Sequence, residues 1–315
     1  MTAPAEKVQA AGSLTVVIAL GANLLVAVAK TVASFITGSA SMVAEAAHSW
    51  ADFGNEIFLL VADRRSMRER DDPHPLGYGR EAYVWSMFAA FGIFTAGAVV
   101  SVWHGLQEML SPEATTDFGI AYTVLAVSFV LEGFSFLQAY RQARSGGISR
   151  GISTGRYALV SSNATLRAVF AEDSAALIGL LVAFLGILLH QLTGIAVFDS
   201  AGSILIGLLL GGVAVVLIDR NRRFLIGEMP DAALQADVLS GLLARPEIDR
   251  VTYLHLEFVG PGKVFLVAAV DLVGESTETH VAIALRRVEA ELERNDHVEE
   301  AVLTLSTPDE PSLGV

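Results

Sequence analysis

Four side chains that can bind a metal lie inside otherwise apolar stretches of this sequence. His48 and Asp52 are four residues apart, and Glu172 and Asp173 are adjacent. Residues four apart on a helix lie nearly above one another, so an imidazole nitrogen and a carboxylate oxygen can reach one ion. A charged carboxylate at membrane depth costs about 2.5 kcal/mol or more unless a cation compensates it. The pattern therefore predicts a cation site within a membrane.

The four positions are not equally suited to binding. Neighbouring helical residues differ by about 100° around the axis, so Glu172 and Asp173 meet at one point only if the helix bends or one side chain reaches sideways. We expect Asp173 to be the firmer ligand. Glu45 lies one turn before His48 and is either a further ligand that waits near the site or a charge at the mouth of the pathway.

A purely structural interpretation of the same residues stays open. In it, His48 closes an internal hydrogen-bond network, and Asp52 pairs with Lys30 or Arg167. Small residues surround both polar segments in the sequence, which lets two helices approach closely enough to share an ion. The spacing alone does not decide between the two interpretations.

Six apolar runs must position these side chains. With 53% hydrophobic residues and a mean hydropathy of +0.53, the chain is more apolar than most soluble proteins. Each run has about the 20 residues that a bilayer requires. We predict a six-helix transmembrane domain over residues 14–218, after an N-terminal segment, 1–13, that lacks the features of a cleaved signal. The predicted helices cover residues 14–36, 40–62, 83–104, 119–141, 158–190 and 196–218.

Basic residues predict the orientation of these helices. Several arginines follow the second, fourth and sixth runs, whereas the connections after the first, third and fifth runs contain no Lys or Arg. By the positive-inside rule, the arginine-rich ends and both termini lie in the cytoplasm. We therefore expect a multi-pass protein in contact with membrane lipid, and the cell membrane as its location.

The sequence changes character after the last run. A linker, residues 219–229, leads to a predicted α+β module over residues 230–306 with the order αββαβ, similar to ferredoxin-like metallochaperones, and then to a tail, 307–315. Most of the net charge of −13 falls in this part, which argues against nucleic acid as a partner. A module of about 80 residues buries little apolar surface alone, so we expect it to form a homodimer.

The absence of cysteine limits the chemistry. Without thiolates, a metal site must use His, Asp, Glu, Asn or backbone oxygen. One histidine with carboxylates suits a borderline divalent metal such as zinc, and a site richer in oxygen favours manganese. An intramembrane hydrolase would also bury such residues, but the sequence has no His-Glu-x-x-His motif. We expect no enzyme activity and no cofactor, because the metal would be the cargo.

Three stretches carry a resemblance to the cation diffusion facilitator family. They are His48–Asn55 in the second run, Asp72–Glu81 before the third run, and Asp199–Gly207 at the start of the sixth run. Their order and spacing are specific, and the resemblance covers nearly the whole chain. It implies a homodimer in which each protomer exchanges a cytoplasmic divalent metal, usually zinc, for protons.

The chain departs from the family's pattern at the transport site. Family members usually have a histidine or aspartate four residues before the aspartate of the fifth helix, but here Val169 stands four residues before Asp173. The resemblance then implies three ligands, His48, Asp52 and Asp173. Glu172 is the nearby candidate for the fourth.

Two other metal sites of the family are expected to be weak or missing. In the loop before the third helix, Asp71 and His74 match two ligands of an auxiliary site, but Tyr78 stands where a second histidine would be. In the C-terminal module, His280 matches one ligand of a regulatory zinc cluster. Other ligand positions of that cluster hold Thr252, Leu305 and Thr307. Dimerisation is therefore expected not to need metal.

The working hypothesis is a proton-coupled transporter of a divalent metal. Metal and protons compete for the same ligand atoms, because a ligand must be deprotonated to bind a dication. Histidine suits this role because its ordinary pKa, about 6.5, lies within the working range of pH. Manganese, iron or cobalt stay open as cargo instead of zinc. A membrane scaffold with a vestigial metal site stays open as another class of protein.

Overall fold

Two compact units form the structure, a computed structural model that describes residues 3–111, 117–274 and 277–314, with residues 3–19 described by their backbone alone. The first unit comprises the chain up to residue 61, residues 85–161 and residues 165–220. The second comprises residues 62–84, 162–164 and the chain from 221 onward. The predicted N-terminal segment, residues 1–13, lies outside the described side chains.

Eight α-helices precede the C-terminal module in the described part of the chain. Their bounds are Ala3–Thr37 (α1), Ala40–Ser66 (α2), Glu81–Ala89 (α3), Thr95–Leu110 (α4), Phe118–Ser149 (α5), Thr154–Val160 (α6), Ala164–Thr193 (α7) and Val197–Leu225 (α8). A π-helical segment, Ala90–Phe94, joins α3 to α4, so these two form one continuous helix.

Five of the described segments are long and apolar enough to cross a membrane. They are Leu20–Thr37, Glu81–Leu110, Phe118–Ser149, Ala164–Thr193 and Val197–Leu225. Helix α2 has 27 residues, which is also sufficient length, but its composition is more polar because it carries several charged residues and His48. With α2, these segments correspond to the six predicted helices. Most extend beyond the predicted runs, because hydropathy marks only the part of a helix that lies in the bilayer.

The fifth predicted helix is wrong at its start. The apolar run was expected to be helical from residue 158 to residue 190, whereas α6 ends at Val160 and α7 begins at Ala164. The break falls on the sequence Ser-Ser-Asn, whose short polar side chains compete with the helical backbone hydrogen bonds. Arg167 is fully buried and donates a hydrogen bond to the carbonyl oxygen of Ser161, which holds the chain at this break.

The N-terminus of α2 is capped by a residue from another helix. Asp199, near the start of α8, is buried and accepts hydrogen bonds from the backbone N–H groups of Ala40 at 2.8 Å and Ser41 at 3.2 Å. The hydroxyl group of Ser39 donates to the same carboxylate at 3.0 Å. A carboxylate at this position satisfies unpaired N–H groups and suits the helix dipole. The contact fixes α2 relative to α8.

The C-terminal module has the predicted order αββαβ. Its elements are Ala232–Leu243 (α9), Ile248–Gly260 (β1), Lys263–Leu272 (β2), Glu278–Leu292 (α10) and Val298–Leu305 (β3). Strand β2 is central, antiparallel to β1 and parallel to β3. Asp231 caps α9 by accepting a hydrogen bond from the backbone N–H of Leu234 at 2.9 Å. The predicted fold class, a helical membrane region followed by a small α+β module, is confirmed.

The second unit also contains the loop between α2 and α3. The ring of Tyr83 stacks on that of Phe224 with 4.9 Å between centroids. The backbones of Gly79 and Gly260 approach so closely that a Cβ atom on Gly79 would lie 2.7 Å from the Cα of Gly260. Arg80 forms an ion pair with Glu257 beside this contact. The loop is therefore anchored to the turn between β1 and β2.

Candidate metal site

His48 and Asp52 face each other on α2. The Nε2 atom of His48 lies 3.2 Å from Oδ2 of Asp52, and the two side chains are 0% and 15% exposed. Among the described residues, neither ring nitrogen of His48 and neither carboxylate oxygen of Asp52 has a hydrogen-bond partner. Buried polar groups are normally paired, since leaving them unpaired is costly. The pair therefore has the unsatisfied donor atoms that a cation would coordinate.

The structural alternative for Asp52 is wrong. Lys30 does not pair with Asp52: its Nζ lies 2.9 Å from Oε2 of Glu45 and 3.5 Å from Oε1 of Glu132. Arg167 donates instead to the carbonyl oxygen of Ser161, just after the end of α6. The expected internal hydrogen-bond network around His48 is likewise not formed within the described residues.

A cavity of about 240 Å³ opens beside Asp52 and is walled by helices α1, α2, α5 and α7. Five carboxylate side chains line it, from Asp52, Glu56, Glu132, Glu172 and Asp173. The structure therefore brings three of the four main predicted ligands to one cavity, and the fourth, His48, contacts it through Asp52.

Neutral donors hold three of these carboxylates. Ser135 donates to Oδ2 of Asp173 at 2.7 Å, and Asn55 donates to Glu172. Asn23 donates to Oε2 of Glu56 at 2.9 Å. Such hydrogen bonds orient the carboxylates without neutralising their charge. When these carboxylates are ionised, the described cavity would favour a cation over an anion.

Val169 lines the same cavity as Asp173, one turn away on α7. The position at which the family usually has a ligand therefore faces the site in this chain, but its side chain offers no donor atom. Within the described residues, no group of three or more His, Asp or Glu side chains is close enough to hold an ion as it stands. Coordination would require the side chains around the cavity to draw together.

Glu45 is not among the residues that line the cavity, although Lys30 connects it to Glu132. It is fully buried, and its Oε2 atom is occupied by Lys30. The predicted role as a waiting ligand would require Glu45 to leave this ion pair. The structure thus gives Glu45 a different immediate partner from the other predicted ligands.

Sequence reasoning missed two cavity carboxylates and the polar residues that hold the site. Glu132 lies on α5, which was not considered as a source of ligands, and Glu56 follows Asp52 by one turn on α2. The available signal for Glu132 was its position as a lone carboxylate in the fourth apolar run, where a charged residue is expected to have a function. No local pattern in the sequence indicates that Asn23 donates to Glu56 or that Ser135 donates to Asp173.

The loop candidates Asp71 and His74 are satisfied without a metal. His74 Nδ1 lies 2.9 Å from Oδ1 of Asp71, and the Tyr78 hydroxyl donates to Oδ2 of Asp71 at 2.6 Å. The hydrogen bond from Tyr78, followed by those from His74, lowers the pKa of the Asp71 carboxyl, and the same bond to Asp71 raises the pKa of Tyr78. Tyr78 thus stands at the position of the family's second histidine, and its hydroxyl group is hydrogen-bonded to one carboxylate oxygen of Asp71.

Two of the residues at the regulatory-cluster positions form hydrogen bonds of their own. His280 Nδ1 lies 2.8 Å from the hydroxyl oxygen of Thr277, at the exposed start of α10. Thr252 donates to Ser306 at 2.9 Å. In the described part of the C-terminal module, no cluster of metal-binding side chains is formed.

One sequence pattern typical of hydrolases does occur in the chain. Residues 147–151 read Gly-Ile-Ser-Arg-Gly, which fits the Gly-x-Ser-x-Gly motif of a catalytic serine. That motif requires a sharp turn between a strand and a helix. Here it lies at the C-terminal end of α5, where the Ser149 hydroxyl donates to the carbonyl oxygen of Gly146 at 2.8 Å. The motif therefore does not indicate a hydrolase.

Comparison with known proteins shows to which family this chain is similar. The cation efflux transmembrane domain matches residues 16–226, and the match contains all four main predicted ligands. Metal tolerance protein C4 of Arabidopsis thaliana is 34% identical over 257 residues, which cover 82% of this chain and 56% of that protein.

Two further relatives carry names that refer to metal transport. The human mitochondrial proton-coupled zinc antiporter SLC30A9 is 34% identical over 260 residues, covering 82% of this chain and 46% of that protein. The metal cation efflux system protein CzcD of Cupriavidus metallidurans is 24% identical over 258 residues, covering 82% of this chain and 75% of that protein. This chain spans about half the length of the plant and human relatives. Since the matched domain covers more than half of the chain, the protein belongs to the cation diffusion facilitator family, whose members are transporters and not enzymes.

Proposed function

We propose that this multi-pass membrane protein moves a divalent metal cation, with zinc as the first candidate, out of the cytoplasm in exchange for protons. The observation that carries the proposal is the buried pair of His48 and Asp52, whose ligand atoms have no hydrogen-bond partner among the described residues, beside a cavity lined by carboxylates. His48, Asp52 and Asp173 are the proposed ligands, with Glu172 as the fourth.

Competition between metal and protons couples the two movements. The ligands bind a dication only when they are deprotonated, so metal uptake from the cytoplasm releases protons. When the cavity opens to the other side, protons return to the same atoms and the metal leaves. Alternating access to one site is sufficient for exchange, and no covalent chemistry is required.

The relatives support this proposal without deciding the metal or the membrane. The human relative is named a proton-coupled zinc antiporter, and the bacterial relative is named for metal cation efflux. Manganese, iron and cobalt remain alternative cargoes, because the cavity has more carboxylates than imidazoles. We propose the cell membrane as the location, with both termini in the cytoplasm, and the mitochondrial relatives make an organelle membrane the alternative.

The test is metal flux in liposomes that contain the purified protein under an imposed pH gradient. Zinc, manganese, cobalt and iron are supplied in turn, and wild type is compared with His48→Ala, Asp173→Ala and Glu172→Ala. We expect each variant to lose at least about tenfold in flux, because even the loss of a group that only orients a metal ligand costs about that much. His104→Ala is the matched control, because His104 lines a different cavity, on α4.

The outcomes separate the hypotheses. Flux lost in Asp173→Ala but kept in Glu172→Ala would reduce the site to three protein ligands. Absence of gradient-driven flux for every ion in wild type would contradict the proposed function and favour the scaffold with a vestigial site.

The metal preference offers a second test of the same site. His48→Asp replaces the one nitrogen ligand by oxygen, so the preference should shift from zinc toward manganese. Competition between the two metals in the flux measurement would show the shift. An unchanged preference would mean that His48 does not touch the ion.

A further inference from the structure

Glu132 joins α5 to the transport cavity. It lines the same cavity as Asp52 and Asp173, and its side chain is 15% exposed. Ser135 lies three residues further along α5 and donates to Asp173 at 2.7 Å. Since residues three apart share a helix face, the hydrogen bond of Ser135 brings the face that carries Glu132 next to a proposed ligand.

Glu132 is held differently from the other cavity carboxylates. Glu56, Glu172 and Asp173 accept hydrogen bonds from neutral amide or hydroxyl groups. In the part of the chain that the structure describes, the partner of Glu132 is the ammonium group of Lys30 at 3.5 Å. When a metal ion arrives, Glu132 can leave the ammonium group of Lys30 and bind the metal. The negative charge of Glu132 is then compensated by a cation both before and after the change.

The positive charge of Lys30 also keeps a negative partner when Glu132 moves. It is fully buried and lies closer to Glu45, at 2.9 Å, than to Glu132. If Glu132 turns to the metal, Glu45 still neutralises Lys30. If Glu45 moved instead, the buried ammonium would keep only the longer contact, and a buried charge with a poor partner is strongly unfavourable. Of the two glutamates at Lys30, Glu132 is therefore the one that can be recruited.

The site also has room for a further ligand. Val169 occupies the cavity position at which a donor would be expected, and it offers none. We propose that Glu132 moves from Lys30 to the transported ion and supplies a further oxygen ligand from α5, in addition to His48, Asp52, Asp173 and Glu172. This inference rests on the proposed function and deepens it. A site with this added carboxylate is richer in oxygen, so it holds manganese better relative to zinc than the site without it.

The experiment measures equilibrium binding of zinc and of manganese to the purified full chain by calorimetry. Glu132→Gln is compared with Glu108→Gln, a matched control whose buried carboxylate lies on α4 and lines a different cavity. We expect Glu132→Gln to weaken zinc binding by at least about tenfold, and manganese binding by a larger factor. Glu108→Gln should change neither affinity by more than about threefold, because it lies outside this cavity. Equal affinities of the two variants for both metals would overturn the proposal.

Asp52→Asn separates the failure of this inference from the failure of the proposed function. If Asp52→Asn binds both metals as wild type does, the proposed position of the transport site is wrong. The proposed role of Glu132 at that site is then wrong as well. If Asp52→Asn weakens binding and Glu132→Gln does not, only the role of Glu132 is wrong.

Glu132→Asp keeps the proposal testable if Glu132→Gln does not fold. This variant retains a negative charge beside Lys30, but its side chain is one methylene shorter. We expect weaker binding of both metals at an unchanged melting temperature. Wild-type affinity in this variant would overturn the proposal.

Discussion

Single residues decide the charge balance within the membrane helices, and Lys30 is the main example. It is fully buried and pairs with Glu45 on α2 and Glu132 on α5. Lysine is almost never fully buried without a partner, because a buried unpaired charge is costly. Lys30 therefore links three helices around the carboxylates and forms no ion pair with Asp52, which is consistent with our proposal that Asp52 binds the transported cation.

Replacement of Lys30 should destabilise the protein strongly. Lys30→Met leaves Glu45 buried without its cation, so we expect a loss of about 3–5 kcal/mol in the free energy of unfolding. The double variant Lys30→Met with Glu45→Gln removes both charges and should recover most of this loss. Denaturation in detergent micelles measures the difference. A double variant as unstable as the single one would show that the ion pair is not the cause.

At the scale of elements, small residues set the distances between the membrane helices. On α8, a Cβ atom at Gly207 would lie 2.7 Å from Cγ2 of Val102 and 2.9 Å from the carbonyl oxygen of Ala98, both in α4. On α4, a Cβ atom at Gly105 would lie 2.8 Å from the carbonyl oxygen of Ser200. Close approach of backbones through small residues is a main source of helix association in membranes. The contact between α4 and α8 therefore depends on these glycines.

Gly207→Ala should push α4 and α8 apart. We expect a destabilisation of about 1–3 kcal/mol, because backbone atoms on the facing helix cannot rotate away as a side chain can. Gly212→Ala on the same helix is the control. Nothing lies within 4 Å of a Cβ atom there, so alanine should gain up to about 1 kcal/mol from helix propensity. Thermal unfolding in detergent compares the two, and equal melting temperatures would contradict close packing at Gly207.

For the molecule as a whole, the main feature is a set of exposed apolar side chains on the C-terminal module, of the kind that a partner would cover. Large apolar side chains are exposed on it, including Tyr253 at 52%, Ile283 at 62% and Leu305 at 53%. The module carries much of the net charge of −13 but no described cluster of metal-binding residues. Burial of apolar surface between two copies is the physical reason for our proposal of a homodimer.

The dimer should persist without metal. Light scattering of the purified chain, corrected for detergent, should give twice the protomer mass of 33.4 kDa both with and without a strong chelator. Thr252 and His280 are already hydrogen-bonded, so no zinc is needed to hold them. Monomers in chelator that return to dimers on addition of zinc would show that a metal cluster exists after all.

The order and kind of the elements follow from local properties of the sequence. Apolar runs of bilayer length, arginine asymmetry and the alternation of apolar residues in the C-terminal module are local properties, and they predict helices and strands without knowledge of the fold. The placement of His48 and Asp52 on one helix face follows from their spacing alone. The fold class could therefore be predicted before the structure was known, whereas the family was predicted from the resemblance of three short stretches of sequence.

The contacts between charged and polar groups, by contrast, arise from tertiary packing. Lys30 and Glu132 are 102 residues apart, and Asp199 and Ala40 are 159 apart, so no local pattern relates them. Their contacts depend on the rotation of each helix about its axis and on the small residues that set helix distances. For the same reason, the cavity role of Glu132 could not be read from the chain. The break before α7 was also not predicted. Hydropathy averages over the whole apolar run, so it does not register the hydrogen bond from Arg167 to the Ser161 carbonyl at this point.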